Sequence, residues 1–154
     1  MKTAAAFQHE APKASGYRMP AEWEKHDALW LAWPDNRETF PYRLAKVEET
    51  FLQMIKLVHR GEKINLFVRN HKKEQEVTNL LEKNDVNLGK INFFKFNYVD
   101  VWLRDTGPIF ITNKHNQIAI THWIFNAWGM KYKEFLEDGQ FPQEIAQKIV
   151  TNIK

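Results

Sequence analysis

Cysteine is absent from this sequence of 154 residues. The chain therefore supplies no disulfide, no thiolate metal ligand and no thiol nucleophile. Long apolar runs are also absent, because no stretch approaches the roughly 20 apolar residues needed to cross a bilayer. The apolar patch in the opening segment MKTAAAFQHE is too short for the centre of a signal peptide. We therefore expect no membrane partner and a cytoplasmic location.

Concentrated charge is the next absence. The 22 Lys and Arg residues and the 19 Asp and Glu residues are mixed along the chain, which leaves a net charge of +3. One segment, KINFFKFN, interleaves Lys with Phe as a nucleic-acid stacking surface can, but a buried strand explains it more simply. The six histidines lack the close-spaced partners of a metal site. We expect no nucleic-acid partner, no metal and no cofactor.

Aromatic residues are abundant, at 14% of the chain, with six Trp and eleven Phe. Aromatic side chains bury large areas, so most of these rings are expected in the core. The hydrophobic fraction of 44% and the charged fraction of 27% are typical of soluble globular proteins. The length suits one domain with a real core.

Strand and helix patterns alternate along the chain, which predicts an α/β fold. Two amphipathic helices are predicted, one between Pro41 and Gly61 and one that follows Asn70 as its N-cap. Buried strands are predicted at DALWLAW, KINLFVR and INFFKFN, and VDVWLRD is expected to continue or to neighbour the third of these. GPIFITN and QIAITHWIF are expected to form a hairpin.

The two ends of the chain differ in character. Residues 1–17 are small, polar and proline-bearing, and we interpret them as a mobile leader. The final segment, FPQEIAQKIVTNIK, predicts a helix with Ile145, Ile149 and Ile153 on one face. Because this helix is still amphipathic at the last residue, we expect the chain to be truncated.

The segment VDVWLRDTGPIF carries the strongest signal for a site. In an extended strand Asp100, Trp102 and Arg104 share a face, and Asp105 points the opposite way. Trp102 and Asp105 can therefore reach one pocket only if the chain turns at 106–108. An aromatic face and a carboxylate together suit a flat cation such as a guanidinium. The alternative is structural: Asp105 caps the amides of the turn and Arg104 pairs with Asp100.

The segments SGYRMPAEWEKH, LWLAWPDNRETFP, VWLRDTGPIF and WIFNAWG, in this order, resemble the N-terminal part of the agmatine deiminases. These enzymes belong to the guanidino-group-modifying superfamily, which includes bacterial peptidyl-arginine deiminases. The resemblance implies a five-fold α/β propeller, or pentein, and about two of its five ββαβ units fit the predicted elements. It makes residues 18–154 the N-terminal portion of a catalytic domain. The implied reaction is hydrolysis of a linear amidine, agmatine, to N-carbamoylputrescine and ammonia.

The resemblance also implies roles for individual residues. Asp105 matches the motif carboxylate that binds the guanidinium, and Trp102 matches the Trp that lines the same pocket. Asn126 and Trp128 in FNAWG, and Trp33 in AWP, match further signature positions that contact the substrate or form the pocket walls.

One departure from the family pattern, and the family's placement of its other catalytic residues, affect these expectations. Met130 replaces a Gly that is common in the family, and it would be strained if its φ is positive. The family places its Cys nucleophile, its His and its other acids in later repeats, so we expect this chain to be inactive alone. Two alternative functions stay open: a deiminase of free or peptide-terminal arginine, and a non-catalytic guanidinium-binding module. At full length the protein could form a homo-oligomer.

Overall fold

The computed structural model describes residues 11–152, and it describes side chains as far as residue 147. Two compact units are present: one is Lys25–Leu103, and the other comprises the described parts of Met1–Glu24 and Arg104–Lys154. Each unit is built on its own three-stranded sheet. Of the leader predicted over residues 1–17, the first ten residues lie outside the described part of the chain. Residues 11–16 form a turn, after which the first strand begins.

The strands and helices alternate along the chain. The strands are β1 (Tyr17–Arg18), β2 (Ala28–Ala32), β3 (Lys63–Val68), β4 (Ile91–Lys95), β5 (Ile109–Asn113) and β6 (Ile118–Thr121). The helical segments are α1 (Leu44–Val58), α2 (His71–Glu82), α3 (Leu103–Thr106), α4 (Ala127–Met130) and α5 (Phe141–Asn152), with 3-10 turns at Leu88–Lys90 and Lys133–Gln140. The mixed α/β class predicted from the sequence is confirmed.

The unit Lys25–Leu103 contains a parallel sheet in the order β2-β3-β4. Parallel strands that are covered on both faces are apolar along their length, and β3 shows this pattern. Ile64, Leu66 and Val68 enter a core with residues of α1 and α2. Phe67 instead contacts Phe94, at 5.8 Å between ring centroids. The three strands predicted here are confirmed, and of these only β3 is buried along most of its length.

The helices of this unit begin and end where the sequence predicts. α1 lies between Pro41 and Gly61, and its residues Leu52 and Ile55 are buried. Asn70 caps α2, because its side chain accepts a hydrogen bond of 2.9 Å from the Lys73 amide. A cap of this kind stabilises a helix by about 1 kcal/mol.

The second unit contains an antiparallel sheet in the order β1-β5-β6. β5 and β6 form the predicted hairpin, in which Ile109 pairs with Thr121. The Asn113 side chain orders the hairpin turn by accepting hydrogen bonds from the amides of His115 and Gln117. β6 ends at Thr121, so the segment HWIF, which was included in the prediction, does not extend the strand.

The prediction of a strand at VDVWLRD is wrong. β4 ends at Lys95, residues 96–102 are irregular, and Leu103–Thr106 forms the single helical turn α3. The Asp100 carboxylate accepts hydrogen bonds from the Val101 amide at 2.8 Å and from Trp102 Nε1 at 2.7 Å. Such local bonds offer the backbone an alternative to a strand ladder. The shared strand face proposed for Asp100, Trp102 and Arg104 therefore does not exist.

The final predicted helix is observed as α5, with Phe141 and Ile145 fully buried. The side chains of Ile149 and Ile153, which were predicted to share its apolar face, lie outside the described residues. Across residues 11–152, no helix has both the length and the apolar character that a membrane crossing requires.

Candidate functional site

Asp105 lies in α3 and its side chain is exposed. Its Oδ1 accepts a hydrogen bond of 3.3 Å from Trp128 Nε1. Within the described part of the chain, this is the one hydrogen bond of the Asp105 side chain. Its second oxygen is therefore available to a donor from outside the chain.

Trp128 belongs to a group of four rings, here called the aromatic cluster: Phe125, Trp128, Tyr132 and Phe135. The Trp128 ring lies 5.1 Å from the Phe125 ring, at an interplanar angle of 90°. Its distances to the rings of Tyr132 and Phe135 are both 5.9 Å, again edge to face. Pairs of this geometry contribute about 0.5–1.5 kcal/mol each beyond their buried area. The cluster therefore holds the indole beside the Asp105 carboxylate.

The backbone under Trp128 is left-handed. The φ angles are 49° at Ala127, 53° at Trp128, 76° at Gly129 and 65° at Met130. A residue other than glycine in this region costs roughly 1–2 kcal/mol. Met130 therefore has the positive φ that the family's glycine would adopt without strain.

Asn126 stabilises this left-handed turn. Its Oδ1 accepts a hydrogen bond of 2.9 Å from the Gly129 amide, and its carbonyl accepts one of 2.7 Å from the Met130 amide. The side chain is thus directed at its own turn. A direct contact between Asn126 and a substrate stays a prediction.

Trp102 lies in the unit Lys25–Leu103 and is 47% exposed. Its indole donates to Asp100, which is only 1% exposed. Burial raises the pKa of the Asp100 carboxyl. Asp100 therefore orients Trp102, a role that the sequence reasoning missed because it assigned both residues to a strand.

Trp33, in the same unit, is 1% exposed and belongs to the hydrophobic core. Its Nε1 donates to Glu48 at 3.2 Å, and its carbonyl accepts a hydrogen bond from Tyr98. This position is that of a core residue, and the substrate-binding role given to Trp33 stays a prediction.

Arg104 pairs with Glu22 rather than with Asp100, the partner considered in the structural alternative. Its Nη1 donates to Glu22 Oε1 at 2.9 Å, which joins α3 to the MPAEWE segment. Immediately before this segment, Arg18 donates to both carboxylate oxygens of Glu24, at 2.6 and 2.7 Å. The hydrogen bond from Arg18 lowers the pKa of Glu24 to about 2. The two motifs, far apart in sequence, are therefore in contact through paired charges.

The groups around Asp105 are an exposed carboxylate and aromatic rings. Residues 11–152 contain no group of three His, Asp or Glu side chains that could hold a metal ion. An exposed carboxylate beside aromatic rings can bind a cation through charge, hydrogen bonds and the ring quadrupole. The fold and the site together define a mixed α/β protein with an exposed acid beside a group of aromatic rings.

Comparison with known proteins identifies the family. The family model of the Porphyromonas-type peptidyl-arginine deiminases matches residues 18–154. A Mycoplasma capricolum protein named "Putative agmatine deiminase" is 31% identical over 79% of this chain and 31% of its own length. A Legionella pneumophila protein of the same name is 35% identical over 80% of this chain and 34% of its own length. The chain thus spans about a third of the curated relatives that it matches.

A solved structure gives the same result. The agmatine deiminase of Enterococcus faecalis superposes with a TM-score of 0.77 and 28% identity, over 94% of this chain and 39% of that one. This chain belongs to the Porphyromonas-type peptidyl-arginine deiminase family. The resemblance to agmatine deiminases that the sequence motifs indicate is therefore confirmed.

Proposed function

We propose that this chain supplies the guanidinium-binding carboxylate of an agmatine deiminase, and that the carboxylate is Asp105. The observation that carries the proposal is its geometry: Asp105 is exposed and its Oδ1 is held by Trp128. A guanidinium can then donate N–H bonds to the remaining lone pairs of the carboxylate. The substrate-binding roles expected of Trp102, Asn126, Trp128 and Trp33 are proposed together with that of Asp105.

The proposed reaction is hydrolysis of the guanidinium of agmatine to N-carbamoylputrescine and ammonia. A thiolate would attack the guanidinium carbon, ammonia would leave, and water would then release the carbamoyl product from sulfur. This chain contains no cysteine. The nucleophile and the proton-transferring His are therefore proposed to come from residues beyond it, and the chain alone would bind without hydrolysing.

The proposed architecture follows the same reasoning. Residues 18–154 would form about two of the five ββαβ units of a pentein domain, after a leader at residues 1–17. The full-length protein would be cytoplasmic and could form a homo-oligomer. The match to longer relatives over about a third of their length supports the partial domain.

Agmatine is the first candidate substrate because it lacks a carboxylate. Arginine carries an α-carboxylate that needs a cationic partner. Arg18 and Arg104 are already paired with Glu24 and Glu22.

A second candidate, free or peptide-terminal arginine, is favoured by one observation. Lys131 Nζ lies 5.1 Å from the Tyr132 ring centroid, next to the aromatic cluster. This ammonium could donate hydrogen bonds to a substrate carboxylate.

Calorimetric titration of the purified chain with agmatine and with arginine tests these proposals. Asp105→Asn should weaken agmatine binding at least about tenfold, because it removes the charge that a guanidinium needs. Asp85→Asn is the matched control, since Asp85 is also exposed and its φ of 59° suits Asn equally well.

Three results would contradict the proposals. Unchanged agmatine affinity in Asp105→Asn would overturn the role of the carboxylate. Ammonia release by the purified chain would overturn the binding-only role. Tighter binding of arginine than of agmatine, lost in Lys131→Ala, would establish the second candidate instead.

A further inference from the structure

The turn Ala127–Met130 contains three non-glycine residues with positive φ. Strained backbone persists where the surrounding contacts determine it, and it is concentrated at functional sites. Here the contacts are the Asn126 side chain on the Gly129 amide and the ring contacts of Trp128. Gly129 relieves the strain at one position only.

The strained turn sets the direction of one side chain. Trp128 has φ 53° and ψ 52°, and its indole N–H points at Asp105 Oδ1, 23 positions back in the chain. A right-handed conformation at Trp128 would direct its Cβ differently and would separate these two groups. The conformation of the turn and the hydrogen bond are therefore linked.

We propose that Trp128 is a positioning residue for Asp105. Its N–H holds Oδ1, fixes the plane of the carboxylate and leaves Oδ2 for the ligand. This inference rests on the proposed binding of a guanidinium at Asp105. It gives Trp128 a role through the carboxylate rather than by direct contact with the substrate.

The proposal predicts a difference between two kinds of cation. A guanidinium is planar and its N–H groups form a rigid fork, so it needs a carboxylate in a defined plane. An ammonium is a compact charge with rotatable donors, and it tolerates a carboxylate that turns. Loss of the Trp128 N–H should therefore weaken guanidinium binding more than ammonium binding.

The test uses methylguanidine and methylammonium with the 154-residue chain. Binding is followed by ¹⁵N NMR of the tryptophan indole signals, and the Trp128 signal is the one missing from Trp128→Phe. This variant keeps an aromatic ring but removes the donor. Trp123→Phe is the matched control, because its indole is 69% exposed and donates to Thr121 Oγ1 at 3.0 Å.

Trp128→Phe should weaken methylguanidine binding about fivefold and methylammonium binding less than about twofold, with no change in Trp123→Phe. The Trp128 indole signal of the unmodified chain should also shift on titration with methylguanidine, a measurement that needs no variant.

If Trp128→Phe weakens the binding of both cations equally, or weakens neither, the positioning role is overturned. A stationary Trp128 signal in the unmodified chain would do the same. Asp105→Asn separates this failure from that of the proposed function. If Asp105→Asn loses methylguanidine binding while Trp128→Phe does not, only the positioning role of Trp128 is refuted. If Asp105→Asn binds methylguanidine as the unmodified chain does, both the proposed function and this inference are refuted.

Discussion

Met130 offers a direct test of the left-handed turn. In a right-handed helix, alanine is more stable than glycine by about 1 kcal/mol. At Met130, with φ 65°, the order should be reversed. A Cβ costs roughly 1–2 kcal/mol in this region, whereas the extra freedom of glycine in the unfolded chain costs about 0.5–1 kcal/mol. Met130→Gly should therefore be more stable than Met130→Ala by about 0.5–1 kcal/mol.

Comparing the two variants with each other isolates the backbone, because both remove the whole side chain beyond Cβ. The assay is equilibrium urea unfolding followed by far-UV circular dichroism. Gln53 provides the control pair, since it is exposed within α1, and there Gln53→Ala should be the more stable variant. A more stable Ala variant at both positions would refute the left-handed turn.

Three further predictions concern local contacts. Asn70→Ala should lower the free energy of unfolding by about 1 kcal/mol in urea titration, because it removes the α2 cap; an unchanged midpoint would exclude the cap. Asp100→Ala should cost about 1–3 kcal/mol, measured in the same way, since the Val101 amide and the Trp102 indole lose their acceptor. The pKa of Glu24 is lowered from 4.5 to about 2, so its contribution to stability is present above pH 4.5 and is lost as the pH falls towards 2. The difference in unfolding midpoint between the unmodified chain and Glu24→Gln should therefore shrink over this window, and a constant difference would contradict the ion pair with Arg18.

The site as described would perform one part of the proposed reaction. Asp105 can attract and orient a cation, and Trp128 can hold the carboxylate in place. Cleavage of a guanidinium C–N bond also requires a nucleophile and a proton donor for the leaving ammonia. A thiol for the first of these is absent from the sequence. If Asp105 binds the guanidinium as proposed, the contribution of this carboxylate to binding can be measured in this chain apart from bond cleavage.

Local patterns predicted most of the elements correctly. The parallel strands β2, β3 and β4 are short apolar runs that end in polar or turn residues, and α1 and α2 carry apolar residues at helical spacing. These signals depend on residues close together in sequence. The prediction failed at VDVWLRD because its apolar residues match a strand, whereas the Asp100 carboxylate binds the next two residues instead.

The sequence by itself determined the family, the alternation of strands and helices, and the identity of Asp105 as the candidate acid, because motifs and periodicity are local properties. Only the tertiary structure decided which groups meet. Trp128 contacts Asp105, and Arg104 contacts Glu22, 82 positions away in the chain. It also placed Trp33 in the core and put Ala127, Trp128 and Met130 in a conformation that their own preferences oppose. The Asn126 hydrogen bonds, ring packing within residues 125–135 and one long-range hydrogen bond to Asp105 stabilise that conformation, and neither motif nor periodicity indicates these contacts.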